Sequence, residues 1–184
     1  MSQINEQIQQ VLDFWFNEEH QIYWFQQSDA FDQRIQQQFA DLHQQAGQGE
    51  LWQWRTTAQG RLAEILILDQ FSRNLFRQQA QAFAYDAMAL VLAQEMIALG
   101  DDMKLAPQQR HFAYLPFMHS ESAVIHQQAV QLFQALGNEQ VLDFEYRHKV
   151  IIDRFGRYPH RNAVLGRVST AEEIAFLAMP NSSF

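Results

Sequence analysis

An all-α domain of seven to eight helices in antiparallel pairs is the architecture this sequence predicts, and three observations carry it. Apolar residues recur at helical spacing along nearly the whole chain, as Ile4, Ile8, Val11, Leu12 and Trp15 do at its start. Sustained period-two alternation is missing, and neither Asn-Gly nor Asp-Gly occurs to close a hairpin. The connections are short and rich in Gly, Asn and Pro, so consecutive helices should fold back on one another as a compact α-α superhelix. With 184 residues, a single domain over 1–184 suffices.

The first helix ends near Asn17. After the aromatic cluster Tyr23-Trp24-Phe25, Ser28 is placed to cap a second helix carrying Phe31, Ile35, Phe39 and Leu42, closed by Gly47-Gln48-Gly49. A third runs from about Thr57 to Leu75 through the apolar run Ile65-Leu66-Ile67-Leu68, and a fourth from about Ala82 to Leu99, stopped by Gly100. Pro107 suits the first position of a fifth helix that ends between Pro116 and His119. Ser120 or Glu121 restarts the chain toward Leu136, and Gly137-Asn138 ends that helix. The seventh spans Glu139 to Phe155 before Gly156. Ser169 with Glu172 has the order of a capping box for a short last helix.

Composition narrows the function classes. Hydrophobic residues make up 47% and aromatics 13%, with fifteen Phe, which is ample material for a core and argues against disorder. A formal net charge of −8 argues against general nucleic-acid binding. Without cysteine there is no disulfide, thiolate metal site or cysteine nucleophile. The start Met1-Ser2-Gln3-Ile4 lacks the basic and apolar regions of a signal peptide, and no apolar run suits a membrane span. A cytoplasmic protein is expected, with no membrane role.

One segment stands apart. Between 147 and 167 the chain carries Arg147, Lys149, Arg154, Arg157, Arg161 and Arg167 against the single acid Asp153. Arginine's planar fork suits bidentate recognition of carboxylate or phosphate, so this island reads as an internal ion-pair hub, an anion site, or both. Within it, Arg157-Tyr158-Pro159-His160-Arg161-Asn162 follows a helix stop, and Pro159 stiffens it into a turn on which His160, Arg161 and Asn162 can converge. An Asp153–Arg157 pair is expected along the end of the helix.

Other polar residues fall on apolar faces. Asp69 shares a face with Leu62, Ile65 and Leu66, so its carboxylate needs a partner; Arg73, one turn on, is the nearest, with Arg154, Arg157 and Arg161 as further choices. His119 extends the face of Phe112, Leu115 and Pro116, and His148 that of Phe144, Ile151 and Phe155. With Glu121 beside the first, these make the candidates His119, Glu121 and His148 for acid–base work. Satisfied core residues are the bland alternative. His119-Ser120-Glu121 would need a helix break to share a metal, and the chain has no His-x-x-x-His, Gly-x-Ser-x-Gly or glycine-rich phosphate loop. No metal and no cofactor are expected. Ile67–Arg73 and Ile151–Arg157 share the order aliphatic-aliphatic-Asp-x-Phe-small-Arg, which is either a degenerate helical repeat or chance.

Three motifs together resemble one family: Leu68-Asp69-Gln70-Phe71-Ser72-Arg73-Asn74, Tyr114-Leu115-Pro116-Phe117-Met118-His119-Ser120-Glu121, and Arg154-Phe155-Gly156-Arg157-Tyr158-Pro159-His160-Arg161-Asn162. In that order they resemble the bacterial DUF924 family of proteins of unknown function, and the likeness extends from Val11 to Thr170. The resemblance implies a tetratricopeptide-like, all-helical fold and no established activity; the regular consensus of roughly 34 residues is not present.

Two functions from different classes follow. In one, Asp69, Arg73, Asn74, Arg154, Arg157, His160, Arg161 and Asn162 bind a small anionic ligand bearing phosphate or carboxylate, and catalysis is left open. In the other, the chain is a helical scaffold for a peptide or partner protein, and the polar cluster is structural.

Overall fold

In the computed structural model, residues 3–180 and 182 are described, and all regular structure among them is helical. Nine α-helices follow in order: α1 (Gln3–Phe16), α2 (Asp29–Gly47), α3 (Ala58–Leu66), α4 (Ser72–Leu75), α5 (Asp86–Ala98), α6 (Pro107–Met118), α7 (Ala123–Leu136), α8 (Glu139–Phe155) and α9 (Ala171–Leu177). Short 3-10 turns occupy several links, among them Trp52–Thr56 and Pro159–Arg161. Ile67–Phe71, between α3 and α4, is π-helical. The expected third helix is therefore one stretch from Ala58 to Leu75 whose middle is widened; counted as one, it leaves eight helical stretches among the described residues, within the expected seven to eight.

Two compact units are present. One comprises the described residues up to Arg77 together with Gln81–Pro116; the other comprises Gln78–Ala80 and the described residues from Phe117 onward. The first is built on aromatic packing. Phe14 stacks on Phe31 at 5.3 Å between ring centres, and Phe39 lies 5.0 Å from both Phe14 and Phe71. Trp15 meets Phe71 at 5.6 Å and Phe112 edge-on at 5.5 Å. Such pairs add to the burial energy of large rings. α3 packs on α1 and α5, while α2 lies against the π-helical stretch and α4. The buried His20 donates from Nδ1 to Phe14 O at 2.6 Å and accepts from Arg34 at 2.8 Å, a pattern that fixes one neutral tautomer.

In the second unit α7 and α8 form a hairpin across Gly137-Asn138. Gly137 takes the left-handed conformation that ends α7, and the Asn138 side chain accepts from Gln140 N and Val141 N to start α8. Ile151, Ile152 and Tyr158 are buried, with Phe155 and Phe176 packed on them.

Most helix ends match the sequence expectation, and the departures have local causes. α5 starts at Asp86, because Ala80–Phe83 forms a 3-10 turn first. α7 starts at Ala123 behind Ser122. The capping box is Thr170 with Glu173, one residue later than Ser169 and Glu172: Ser169 Oγ instead accepts from Asn162 Nδ2 at 3.0 Å. The two look-alike segments differ locally, since Ile67–Phe71 is π-helical while Ile151–Phe155 is the regular end of α8.

Candidate functional site around Tyr158

In the first unit, Asp69 sits within the π-helical stretch with its side chain fully buried. Arg73 answers it as the spacing predicts: Nη1 lies 3.0 Å from Asp69 Oδ1 and donates to Asp69 O at 2.7 Å. The same guanidinium reaches both carboxylate oxygens of Asp86 at 3.1 Å. Gln70 donates to Asp69 Oδ2 at 2.5 Å. Asn74 Nδ2 donates to Asp32 Oδ1 at 2.7 Å, and Arg77 pairs with that carboxylate through Nε and Nη2.

The basic segment lies in the second unit, and much of it is an ion-pair hub. Arg154 donates twice to Glu172 Oε1, at 2.9 and 2.7 Å, on the exposed surface. Arg157 grips Glu173 with two bonds, and Asp153 pairs with Lys149 at 2.5 Å, so the expected Asp153–Arg157 pair is replaced by two others. The reason is position: Lys149 is one turn back from Asp153, while Gly156 ends α8 and frees Arg157 from its face. Arg167 clamps Glu121 through Nη1 at 2.5 Å and Nη2 at 2.9 Å, takes Asn162 Oδ1 on Nε at 2.9 Å, and reaches Tyr158 O at 3.1 Å. Glu121 also accepts from Tyr158 N at 2.8 Å. Burial works against charge on Glu121, yet the bonds from Arg167 and Tyr158, with the nearby Arg161, hold its carboxyl below the ordinary range.

Tyr158, 1% exposed, is the centre of a second arrangement. The Arg161 guanidinium lies over its ring at 4.6 Å, and Arg161 Nη2 donates to His119 O at 3.1 Å. His148, His160 and His126 place their rings 5.8, 5.5 and 6.3 Å from that of Tyr158. The phenol donates to Met118 O at 2.5 Å. His148 donates from Nδ1 to Phe144 O at 2.8 Å, which leaves Nε2 as its basic atom. Burial, with smaller effects from His119, His126 and His160, pushes its pKa down to about 3. Of the residues expected here, His148, His160 and Arg161 come together about Tyr158, His119 joins them through its carbonyl, and Glu121 and Asn162 support them through Arg167.

Two contributors are absent from the sequence expectation, and a third, Arg167, figures there only as one of the basic island. His126 and Glu145 are both fully buried, with His126 Nδ1 2.7 Å from Glu145 Oε1, and Arg167 holds Glu121. A signal existed for the pair: His126, Ala129 and Phe133 share the buried face of α7, and Glu145, His148 and Ile152 that of α8.

Elsewhere, an open depression of about 660 Å³ in the first unit is lined by Gln9, Asp13, Phe16, Glu18, Glu19 and neighbours. Its acids make it ill-suited to an anion, and none of the expected site residues lines it. Among the described residues no group of three or more His, Asp or Glu is disposed to hold a metal ion. No helix among them is long and apolar enough to cross a membrane.

The model of a bacterial protein family of unknown function, DUF924, matches residues 11–181. The chain belongs to the DUF924 family. A solved structure, that of a protein of unknown function from Agrobacterium tumefaciens, is similar at 38% identity with a TM-score of 0.90. The match covers 95% of this chain and 98% of that one, so the all-helical fold is shared along nearly the full length. Among curated proteins none matches.

Proposed function

We propose that this DUF924 protein binds a small anionic ligand, bearing phosphate or carboxylate, at the cluster around Tyr158. The observation that carries the reading is Arg161, a buried guanidinium laid over Tyr158 beside the His148 and His160 imidazoles and bonded to the His119 carbonyl. A planar guanidinium beside an imidazole on a stiff turn, as Arg161 and His160 are on Pro159–Arg161, is the chemistry that recognises a carboxylate or phosphate. Arg154, Arg157 and Asn162 then serve as the frame of the turn, each already engaged with Glu172, Glu173 or Ser169 and Arg167. Asp69, Arg73 and Asn74 brace the first unit in the same way. With Nδ1–H spent on Phe144 O and Nε2 unprotonated, His148 has no donor for an anion and is a weak base, so it walls the site while Arg161 and His160 carry the binding. The compartment expected from composition, the cytoplasm, is rich in such anions.

A second reading is favoured by one observation. Arg154, Arg157 and Arg167 pair with carboxylates, as a tetratricopeptide-like scaffold with a purely structural polar cluster requires. Thermal unfolding with inorganic phosphate, sulfate and small dicarboxylates separates the two. A site-specific anion raises the unfolding temperature of the wild type by mass action and leaves that of Arg161→Gln unchanged. No shift with any anion at high concentration overturns the anion reading in favour of the scaffold. So does an equal shift in wild type, Arg161→Gln and His160→Ala.

A further inference from the structure

The His126–Glu145 pair has a proton count fixed by its surroundings. His126 Nε2 lies 2.9 Å from Ser120 O, and a carbonyl only accepts, so Nε2 bears hydrogen. Nδ1 and Glu145 Oε1, 2.7 Å apart, must share one more proton. That proton belongs either to an imidazolium facing a carboxylate or to a neutral imidazole facing a carboxylic acid. The other carboxyl oxygen decides between them. Glu145 Oε2 is buried and receives no hydrogen bond from the protein. A carboxylate would leave a charged, buried oxygen without a protein donor, whereas an acid leaves only a carbonyl-like oxygen there. The charged neighbour on the same helix, Lys149, is engaged with Asp153 at 2.5 Å, and His148 beside the pair is neutral. Tyr158 contributes a neutral phenol.

The same imidazole ties together both segments that carry the cluster. Its Nε2–H points at Ser120 O, next to His119, and lies 3.1 Å from Tyr158 Oη, two residues before His160. Arg161 then spans from the Tyr158 ring to His119 O. We infer that Glu145 is protonated in the folded protein, and that His126 and Glu145 act as one neutral, proton-sharing unit that positions Tyr158 and Ser120 around the anion cluster. The positioning half rests on the anion-binding reading above; the protonation half does not. Burial raises the proton affinity of Glu145 and outweighs the attraction of His126. The sign of the pH effect follows. The folded state holds a proton that the unfolded chain has already released above the ordinary carboxylate range. As pH rises through the raised value, that proton is lost, a net negative charge appears beside the cluster, and anions are repelled.

Infrared difference spectra of wild type against Glu145→Gln at neutral pH test the protonation. The expected result is a protonated-carboxyl stretch present only in the wild type. A carboxylate signature in its place overturns the inference. Sulfate, whose own charge is constant over the range, tests the positioning. Its affinity should be retained in Glu145→Gln, whose amide donates to His126 Nδ1, and should be roughly tenfold weaker in Glu145→Ala. The fall of wild-type affinity as pH rises should be shallower in Glu145→Gln. Parallel pH profiles in the two proteins overturn positioning by a shared proton. A Glu145→Gln chain that fails to fold overturns it as well, since a neutral amide then cannot replace the supposed neutral acid. If the carboxyl stretch is present and wild type binds no sulfate, the protonated pair stands and the anion reading falls with the positioning role. If sulfate binds and the stretch is missing, only the inference falls.

Discussion

Arg157 holds Glu173 through two parallel hydrogen bonds, Nε to Oε1 at 2.6 Å and Nη2 to Oε2 at 2.8 Å. Glu173 is also the reciprocal partner in the Thr170 capping box, with Thr170 N donating to Oε2 at 2.7 Å. One carboxylate therefore starts α9 and fastens it to the turn after α8. The hydrogen bonds from Arg157 and then Thr170 push its pKa down to about 2 from the ordinary 4.5.

Replacing Arg157 with Ala should lower the unfolding temperature at neutral pH, and Arg157→Lys should restore it only in part because the bidentate fork is lost. Glu173 has a depressed folded pKa, so its contribution is complete above about 4.5 and fades as pH falls toward about 2. The stability gap between wild type and Arg157→Ala should therefore close across that window. A gap that persists unchanged at the acid end, read by chemical denaturation against pH, would contradict the pairing.

His148 should remain neutral far below the pH at which an unfolded histidine charges. Its folded pKa of about 3 lies under the ordinary 6.5, so the unfolded chain takes up a proton that the folded chain refuses. Its stabilising contribution is full above about 6.5 and is lost progressively as pH drops toward about 3. NMR should show the His148 ring unprotonated at pH 5, and His148→Phe should lose stability less steeply with acid than wild type does. An ordinary titration near 6.5 is the contrary result.

Two glycines should respond very differently to alanine. At Gly60 an added Cβ would stand 2.0 Å from the Trp54 carbonyl oxygen, a backbone atom that cannot step aside. Gly60→Ala should cost at least about 3 kcal/mol or prevent folding. At Gly156 the surroundings are open and only the positive φ of +67° opposes a side chain. Gly156→Ala should cost about 1–2 kcal/mol. Equal effects in urea denaturation would refute this account of both positions.

The sequence by itself determined the helices and many of their ends. Ser28, Asn138, Gly137, Gly156 and Pro107 do locally what their chemistry dictates, because capping and left-handed turns involve residues a few positions apart. The Asp69–Arg73 contact was legible for the same reason, being one turn long. The polar network was not. Arg157 meets Glu173 rather than Asp153, Arg167 crosses to Glu121, and His126 meets Glu145 from the facing helix. Those choices depend on how α7, α8, α9 and the Pro159–Arg161 turn pack. Side chains distant in sequence become partners when burial strips away water and leaves each acid to the nearest donor. The π-helical widening at Ile67–Phe71 was also invisible, since an apolar run is equally compatible with α and π geometry, and the packing of α2 and α5 against it accompanies the wider turn.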